Sequence, residues 1–282
     1  MTTFNLIIQG DDVSTPELKA LHRLSSASGI ERVGDQAFCL PGARLSSEPE
    51  VAAYCALAQL DFAFVEAGRK LADFGLIAMD MDSTLITIEC VDEIADFVGL
   101  KAEVAAVTDS AMRGEIDWPE SLRQRVALLK GLDESALQRV YAERMQLSSG
   151  AEKLIRAARQ HGIKLLLVSG GFTFFTDRLK PRLGFDYAYS NTLEIENGKL
   201  NGRVSGPLLD ANAKAHHVAR LRDGLNLNRD QVIVIGDGAN DLKMMAETNC
   251  SVAYRAKPIV RQQASYALNY AGLDGLLNVF PA

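Results

Sequence analysis

The stretch from Gly75 to Leu85, Gly-Leu-Ile-Ala-Met-Asp-Met-Asp-Ser-Thr-Leu, limits the fold more than any other part of the chain. It is a short apolar run that ends in two aspartates one residue apart, followed by two hydroxyls. A strand of about four to six residues that stops in Asp80 and Asp82 places carboxylates at the carboxyl edge of a sheet, where open α/β folds keep their chemistry. The expectation is a mostly parallel, Rossmann-like α/β core organised around this strand.

Two further runs fit the same frame. Ile163 to Val168 is β-rich and too short for a typical helix, and it delivers the chain into Ser169-Gly170-Gly171 before a new helix from about Thr173. That order lets backbone donors approach an oxygen-rich anion, although a Ser-Gly-Gly segment alone reads more readily as a tight turn. Gln231 to Ile235 is a strong core strand ending in Gly236-Asp237-Gly238-Ala239-Asn240-Asp241. Acidic side chains at a second strand's carboxyl edge point to a hard-cation site more firmly than Asp80 and Asp82 do alone. Between these runs, Asn212 to Leu221 reads as a helix with Lys214 near its start. The helix dipole disfavours a lysine there, so either an anion faces it or it is an exposed, solubilising residue.

Composition narrows the functional classes. With 48% hydrophobic and 23% charged residues in 282, the chain is ordinary globular material rather than disordered. A formal charge of -6 and no basic tract argue against a nucleic-acid surface, so any phosphate must be gripped locally. Cys39, Cys55, Cys90 and Cys250 show no paired spacing and read as buried thiols in a reducing compartment, with no structural zinc pattern. No basic segment leads into an apolar core at the amino terminus and no run approaches a bilayer span, so a cytoplasmic protein without membrane contact is expected.

In chain order, residues 1–72 read as a small α+β, βαβ-like module: a strand at Phe4 to Ile8, a helix over Pro16 to Leu24, a strand around Gln36 to Leu40 ended by Pro41-Gly42, and a long helix from Pro49 to about Leu71. Without a phosphate loop or clustered catalytic groups, it reads as a packing or dimerising module, or as a regulatory one that binds a metabolite. The larger unit is 73–282. Within it, about 89–147 is mainly helical, with Val91, Ile94, Ala95 and Val98 on one apolar face and Leu122, Val126 and Leu129 on another. A helical block between two core strands would form a cap above the sheet edge. Asn197-Gly198 signals a hairpin.

The chemistry follows from charge. A carboxylate attacking a phosphate needs divalent compensation and fixed hydrogen-bond donors, and Mg2+ supplies the first through oxygen ligands alone. Asp80 would attack phosphorus and form an aspartyl-phosphate, which water then hydrolyses. Asp82, two residues on, would protonate the leaving alkoxide and later activate the water.

In order and spacing, Asp80-Met81-Asp82-Ser83-Thr84, Ser169-Gly170-Gly171, Lys214 and Gly236-Asp237-Gly238-Ala239-Asn240-Asp241 resemble the motifs of the haloacid dehalogenase-like phosphatase superfamily, from about Leu76 to the carboxyl terminus. The resemblance implies magnesium held by the Asp80 and Asp237 carboxylates and the Asp82 backbone carbonyl, with Asp241 in its outer shell. It also implies that Ser169, Gly170, Gly171 and Lys214 surround the phosphate, with Asn240 assisting.

Within the superfamily, the resemblance is to the branch acting on free O-phospho-L-serine, and it singles out Glu89 for the substrate ammonium and Arg125 for its carboxylate. Read without it, Glu89 is a helix-start acid and Arg125 a surface residue. Met112 and Trp118 would form an apolar wall. Since the core does not specify the leaving group, another small phosphomonoester, or phosphoryl transfer to a small alcohol, remains open; a non-enzymatic phosphate-binding regulator fits the paired aspartates poorly. The expected partner is a small molecule, with a homodimer through the amino-terminal segment left open.

Overall fold

Apolar runs sort the chain into two sheets. The computed structural model describes residues 3–113 and 115–282, the side chain of Met112 excepted. The first sheet is built from β1 (Phe4–Gln9), α1 (Thr15–Ser25), β2 (Glu31–Gly34), β3 (Ala37–Ala43), α2 (Glu48–Ala58) and β4 (Asp61–Glu66). Its order is β2-β3-β1-β4, antiparallel throughout, a ferredoxin-like βαββαβ arrangement rather than a βαβ piece. Helix α1 begins where the sequence predicts, because Ser14 and Glu17 close a capping box and Pro16 sits in the first turn.

The helix expected from Pro49 to about Leu71 is two elements. Gln59 adopts a left-handed conformation (φ 57°) and ends α2, and the next residues form β4, paired with β1 from Gln9↔Asp61 to Phe4↔Glu66. Apolar composition continues through both elements, which disguises the break; the tertiary ladder, not local propensity, decides it. Likewise β3 runs through Pro41-Gly42 instead of stopping there.

The small sheet is docked on the end of the chain. The buried Asp61 carboxylate accepts backbone N–H groups from Asn269 (2.7 Å), Tyr270 (3.0 Å) and Ala271 (2.9 Å), and Gln9 accepts from Asn278 Nδ2 at 2.7 Å. Its own core gathers Leu6, Ile8, Leu21, Leu40, Val51 and Cys55. All four cysteines are buried free thiols.

The second sheet starts at β5 (Leu76–Met79), whose residues are all fully buried, as a central parallel strand requires. Four helices follow, α3 (Cys90–Asp96), α4 (Lys101–Met112), α5 (Trp118–Leu128) and α6 (Ser135–Arg139). The chain then returns through α7 (Ala151–Gln160), β6 (Lys164–Phe172), α8 (Thr173–Leu183), the hairpin β7 (Tyr187–Glu196) and β8 (Lys199–Ser205), and α9 (Ala211–Gly224). It closes with β9 (Val232–Gly236), α10 (Leu242–Met245), β10 (Cys250–Tyr254), α11 (Pro258–Gln263), β11 (Tyr266–Leu268) and α12 (Leu276–Val279). The order β11-β10-β9-β5-β6-β7-β8 is parallel except for the β7–β8 pair. After β5 the chain builds outward on one side, then crosses to the other, so the switch point lies beside β5.

The helices between β5 and β6 are tethered twice. At their root, Ile86 and Leu147 form an antiparallel bridge, with the Thr87 N–H donating to Gln146 O at 3.0 Å and the Ser148 N–H to Leu85 O at 2.9 Å. At their far end, the Gly131 N–H donates to Leu200 O (2.8 Å), and the Glu134 N–H to Gly198 O (2.9 Å) at the tip of the hairpin. Asn197 (φ 52°) and Gly198 (φ 74°) both take left-handed conformations there, the pairing a two-residue hairpin loop needs. Among the described residues, no helix is long and apolar enough to cross a membrane.

Candidate active site

Strands β5 and β9 pair as Met79↔Ile235, so the residues just beyond them emerge side by side. The Asp80 N–H donates to Ile235 O at 3.0 Å, and one Asp80 oxygen accepts the Met81 N–H at 2.7 Å. The next five residues, Met81–Leu85, form a wide turn broken by Ser83 at φ 54°, a left-handed conformation that non-glycine residues adopt only when held there. The turn separates the side chains by function. Asp82 Oδ1 accepts the Cys90 N–H (3.2 Å), Ser83 Oγ donates to Glu89 Oε1 (2.7 Å), and Thr84 Oγ1 donates to Asp237 Oδ1 (3.1 Å).

Lys214 is no surface residue. It is 1% exposed, and its Nζ lies 2.7 Å from Asp80 Oδ2 and 2.8 Å from Asp241 Oδ1. Asp241 is wholly buried and turns its other oxygen to the N–H groups of Asp237 and Gly238, each at 3.1 Å. Three carboxylates, Asp80, Asp237 and Asp241, bring oxygens within 4.8 Å of one another.

Their electrostatics are strained by this closeness. Burial, then the charge of Asp241, pushes the Asp80 carboxyl well above its ordinary range, against the opposing pull of Lys214. Asp237 is pushed up to about 7 by burial and by Asp241. Burial works against the charge on Lys214, but Asp241 and Asp80 outweigh it and keep the ammonium protonated. A lone lysine leaves the trio short of positive charge. The donors are all oxygen, with no histidine or thiolate among them, so the set fits a small hard divalent cation.

Ser169 to Gly171 does not form a tight turn. Strand β6 continues through them to Phe172, and Ser169 Oγ accepts the Gly171 N–H at 2.9 Å. Both glycines permit the close approach of a side chain. A Cβ on Gly171 would fall 2.6 Å from Asp82 Oδ2, and one on Gly170 would fall 2.7 Å from Trp118 Cζ2. Trp118, at the start of α5, therefore bridges the helical layer and the sheet edge. Asp82, half-buried next to Gly171, has its carboxyl raised to about 7 by burial and then by the charge of Glu89.

Glu89 is the residue immediately before α3 and makes no capping bond. It keeps solvent access although protein surrounds most of its carboxyl, and that surrounding raises its proton affinity. Arg125, half-buried on α5, donates from Nε to Ser121 O at 3.4 Å and makes no ion pair among the described residues. Its charge acts on both Glu89 and Asp92, and Asp92 Oδ1 is buried without a hydrogen-bond partner among the described residues. Asn240 is half-buried in the single turn Ala239–Asp241. The side chain of Met112 lies outside the described residues.

The structure thus collects Asp80, Asp82, Ser169, Gly171, Lys214, Asp237 and Asp241 at one sheet edge, sets Trp118 on Gly170, and links Glu89 to the same turn through Ser83. Sequence reasoning gave no role to Ser83, Thr84 or the Cys90 amide. The two hydroxyls were visible as neighbours of Asp82; the amide's part depends on where the helical layer folds back.

Replacing Gly170 by Ala should push Trp118, the only tryptophan, off the sheet edge. We expect kcat/KM for a phosphomonoester to fall about 10- to 100-fold, as for a misplacement of about an ångström, with the tryptophan emission shifting to longer wavelength. Unchanged emission and activity would show that the contact is not kept in solution.

The model of haloacid dehalogenase-like hydrolases matches residues 77–246, and that of a domain of unknown function (DUF4072) matches residues 6–49. A phosphoserine phosphatase of Polaromonas sp. is 55% identical over 74% of this chain and 91% of its own length. A HAD family hydrolase of Salmonella enterica serovar Typhi superposes with a TM-score of 0.88 at 32% identity, covering 99% of both chains. A probable phosphoserine phosphatase from Vibrio cholerae, in unliganded form, superposes with a TM-score of 0.83 at 38% identity over 98% of this chain and 85% of that one.

Proposed function

This chain belongs to the haloacid dehalogenase-like hydrolase family, and from that premise we propose that it hydrolyses free O-phospho-L-serine to L-serine and inorganic phosphate. One observation carries the reading furthest: a carboxylate held by a buried lysine (Asp80–Lys214, 2.7 Å) stands at the sheet edge two residues before a second carboxyl poised near pH 7 (Asp82). That is a nucleophile and an acid–base group in one turn.

Asp80 attacks phosphorus through a carboxylate oxygen, in line with the seryl oxygen. As that P–O bond breaks, protonated Asp82 gives its proton to the seryl oxygen, and serine leaves. A water molecule then attacks the aspartyl-phosphate at phosphorus, Asp82 takes its proton, and the Asp80 carboxylate is restored with release of phosphate. Lys214 counters the charge on the equatorial oxygens, and Ser169, Gly170, Gly171 and Asn240 hold them. Mg2+ is the cation we assign to the Asp80 and Asp237 carboxylates and the Asp82 carbonyl, with Asp241 behind them; when bound it supplies charge neutralisation between nucleophile and phosphate. Asp241, wholly buried, ties Lys214 to the N–H groups of Asp237 and Gly238 and so braces the cluster from behind.

Specificity is assigned to the helical layer. Glu89 faces the ammonium, Arg125, without an ion pair among the described residues, forks onto the carboxylate, and Trp118 walls off water. Phosphoserine within a folded protein lacks both free groups and would be a poor substrate.

The test is phosphate release in magnesium with O-phospho-L-serine, phosphohomoserine, a small sugar phosphate and O-phosphoethanolamine, which lacks the carboxylate. Arg125→Ala should lower kcat/KM for phosphoserine about 100-fold, mostly through KM, and leave phosphoethanolamine nearly unchanged. Equal losses on both would remove carboxylate recognition from Arg125. A preference of the native protein for another ester would overturn the substrate and leave the mechanism.

A further inference from the structure

Strand β6 leaves its ladder where the phosphate-facing segment begins. Its register with β7 runs Val168↔Tyr189 and resumes at Phe172↔Asn191, so Ser169, Gly170 and Gly171 bulge away from the partner strand. A bulge of this kind frees backbone groups that the sheet would otherwise pair. The side chain that answers is Asn191, 2% exposed: its Nδ2 donates to Gly170 O at 2.8 Å, and its Oδ1 accepts the Leu209 N–H at 2.8 Å.

The second bond reaches the other half of the site. Leu209 precedes Asp210, which caps α9 by accepting the Ala213 N–H at 2.8 Å on its side chain and the Lys214 N–H at 2.9 Å on its carbonyl. Lys214 lies in the first turn of that helix. One planar amide, donating from one end and accepting at the other, thus spans the segment that lies against Asp82 and the segment that carries Lys214 to Asp80. Aspartate would set an acceptor against the Gly170 carbonyl, and an apolar residue would orphan both groups.

We propose that Asn191 is a positioning residue that locks the Ser169–Gly171 bulge and the Lys214 helix into one phosphate-binding geometry, an inference that rests on reading this edge as a phosphoryl site. It touches neither substrate nor cation and acts through the two segments it joins. Its loss should therefore weaken phosphate binding selectively, since the amino and carboxylate groups of serine are met on the helical layer.

Calorimetric titration of the full chain with inorganic phosphate and, separately, with L-serine, both in magnesium, tests this with Asn191→Ala and the isosteric Asn191→Asp. In whichever variants fold, with thermal melting as the check, phosphate Kd should rise about tenfold, ~1.4 kcal/mol, while serine Kd stays within about twofold. A lowered melting temperature with native phosphate affinity would overturn the positioning role and leave only packing, and so would equal weakening of both ligands. If the native protein itself fails to bind phosphate, the phosphoryl reading falls and this inference with it; native binding matched by the variants removes this inference alone.

Discussion

Asp80→Asn should abolish turnover of O-phospho-L-serine, with kcat reduced by at least about 10^4-fold. The amide fits the space of the carboxylate, so the fold should survive, but it lacks the charge and the electron pair that form the bond to phosphorus. Its position explains why no neighbour can substitute. Asp241 is spent on Lys214 and two backbone N–H groups, and Asp237 is held by Thr84. Acid-quenched native protein caught during turnover should carry a phosphoryl mass on the peptide containing Asp80, and the variant should carry none. Full turnover with labelled phosphate never reaching that peptide would sink the covalent mechanism. The substitution also removes a carboxylate from the cluster, so the pull of Asp80 on Lys214 disappears while that of Asp241 remains; the lysine stays charged, and phosphate binding should outlast chemistry.

Much of this candidate site is legible in the sequence because its groups sit at strand ends. Asp80 and Asp237 each follow an apolar run that makes sense only as a buried parallel strand, and adjacency of those strands in the sheet does the rest. Legibility fails where a residue's part is set by long-range register. From helical phase alone Lys214 reads as exposed rather than anion-facing, and only the family resemblance sets it at the phosphate, since phase does not say that two buried carboxylates await it. Ser169 to Gly171 read as a turn because glycine pairs usually mark one, whereas here they let Asp82 and Trp118 approach an extended strand. Asn191 carried no signal, because its worth comes from a bulge in a different strand. The same limit produced the false helix to Leu71: β4 exists by virtue of its pairing with β1, which no local window contains. It also hid the second duty of the Asn197-Gly198 hairpin, whose tip and outer strand bond to the end of the helical layer.

Asp82→Asn should separate the two chemical steps by leaving group. With phosphoserine, the departing alkoxide is strongly basic and needs a proton in the transition state, so removing the acid should lower kcat about 10^2- to 10^4-fold. With p-nitrophenyl phosphate, the departing phenolate needs no proton, and attack by Asp80 should proceed at a rate much nearer the native one. The second step still lacks its base, because water attacking the aspartyl-phosphate must lose a proton that an amide at position 82 is unable to take. The variant should therefore release a burst of p-nitrophenol, one equivalent per active site, and then stall as phosphoenzyme, whereas phosphoserine should give no burst of serine. The surroundings of Asp82 give it both capacities: burial and the charge of Glu89 hold its proton to about pH 7, while the Cys90 N–H steadies the ionised form. The same geometry ties the acid to recognition, since Cys90 follows Glu89 directly and Ser83, next to Asp82, donates to the Glu89 carboxylate. An equal loss on both esters without a burst would mean that Asp82 orients the nucleophile's turn rather than moving protons, and its role in both steps would have to be withdrawn.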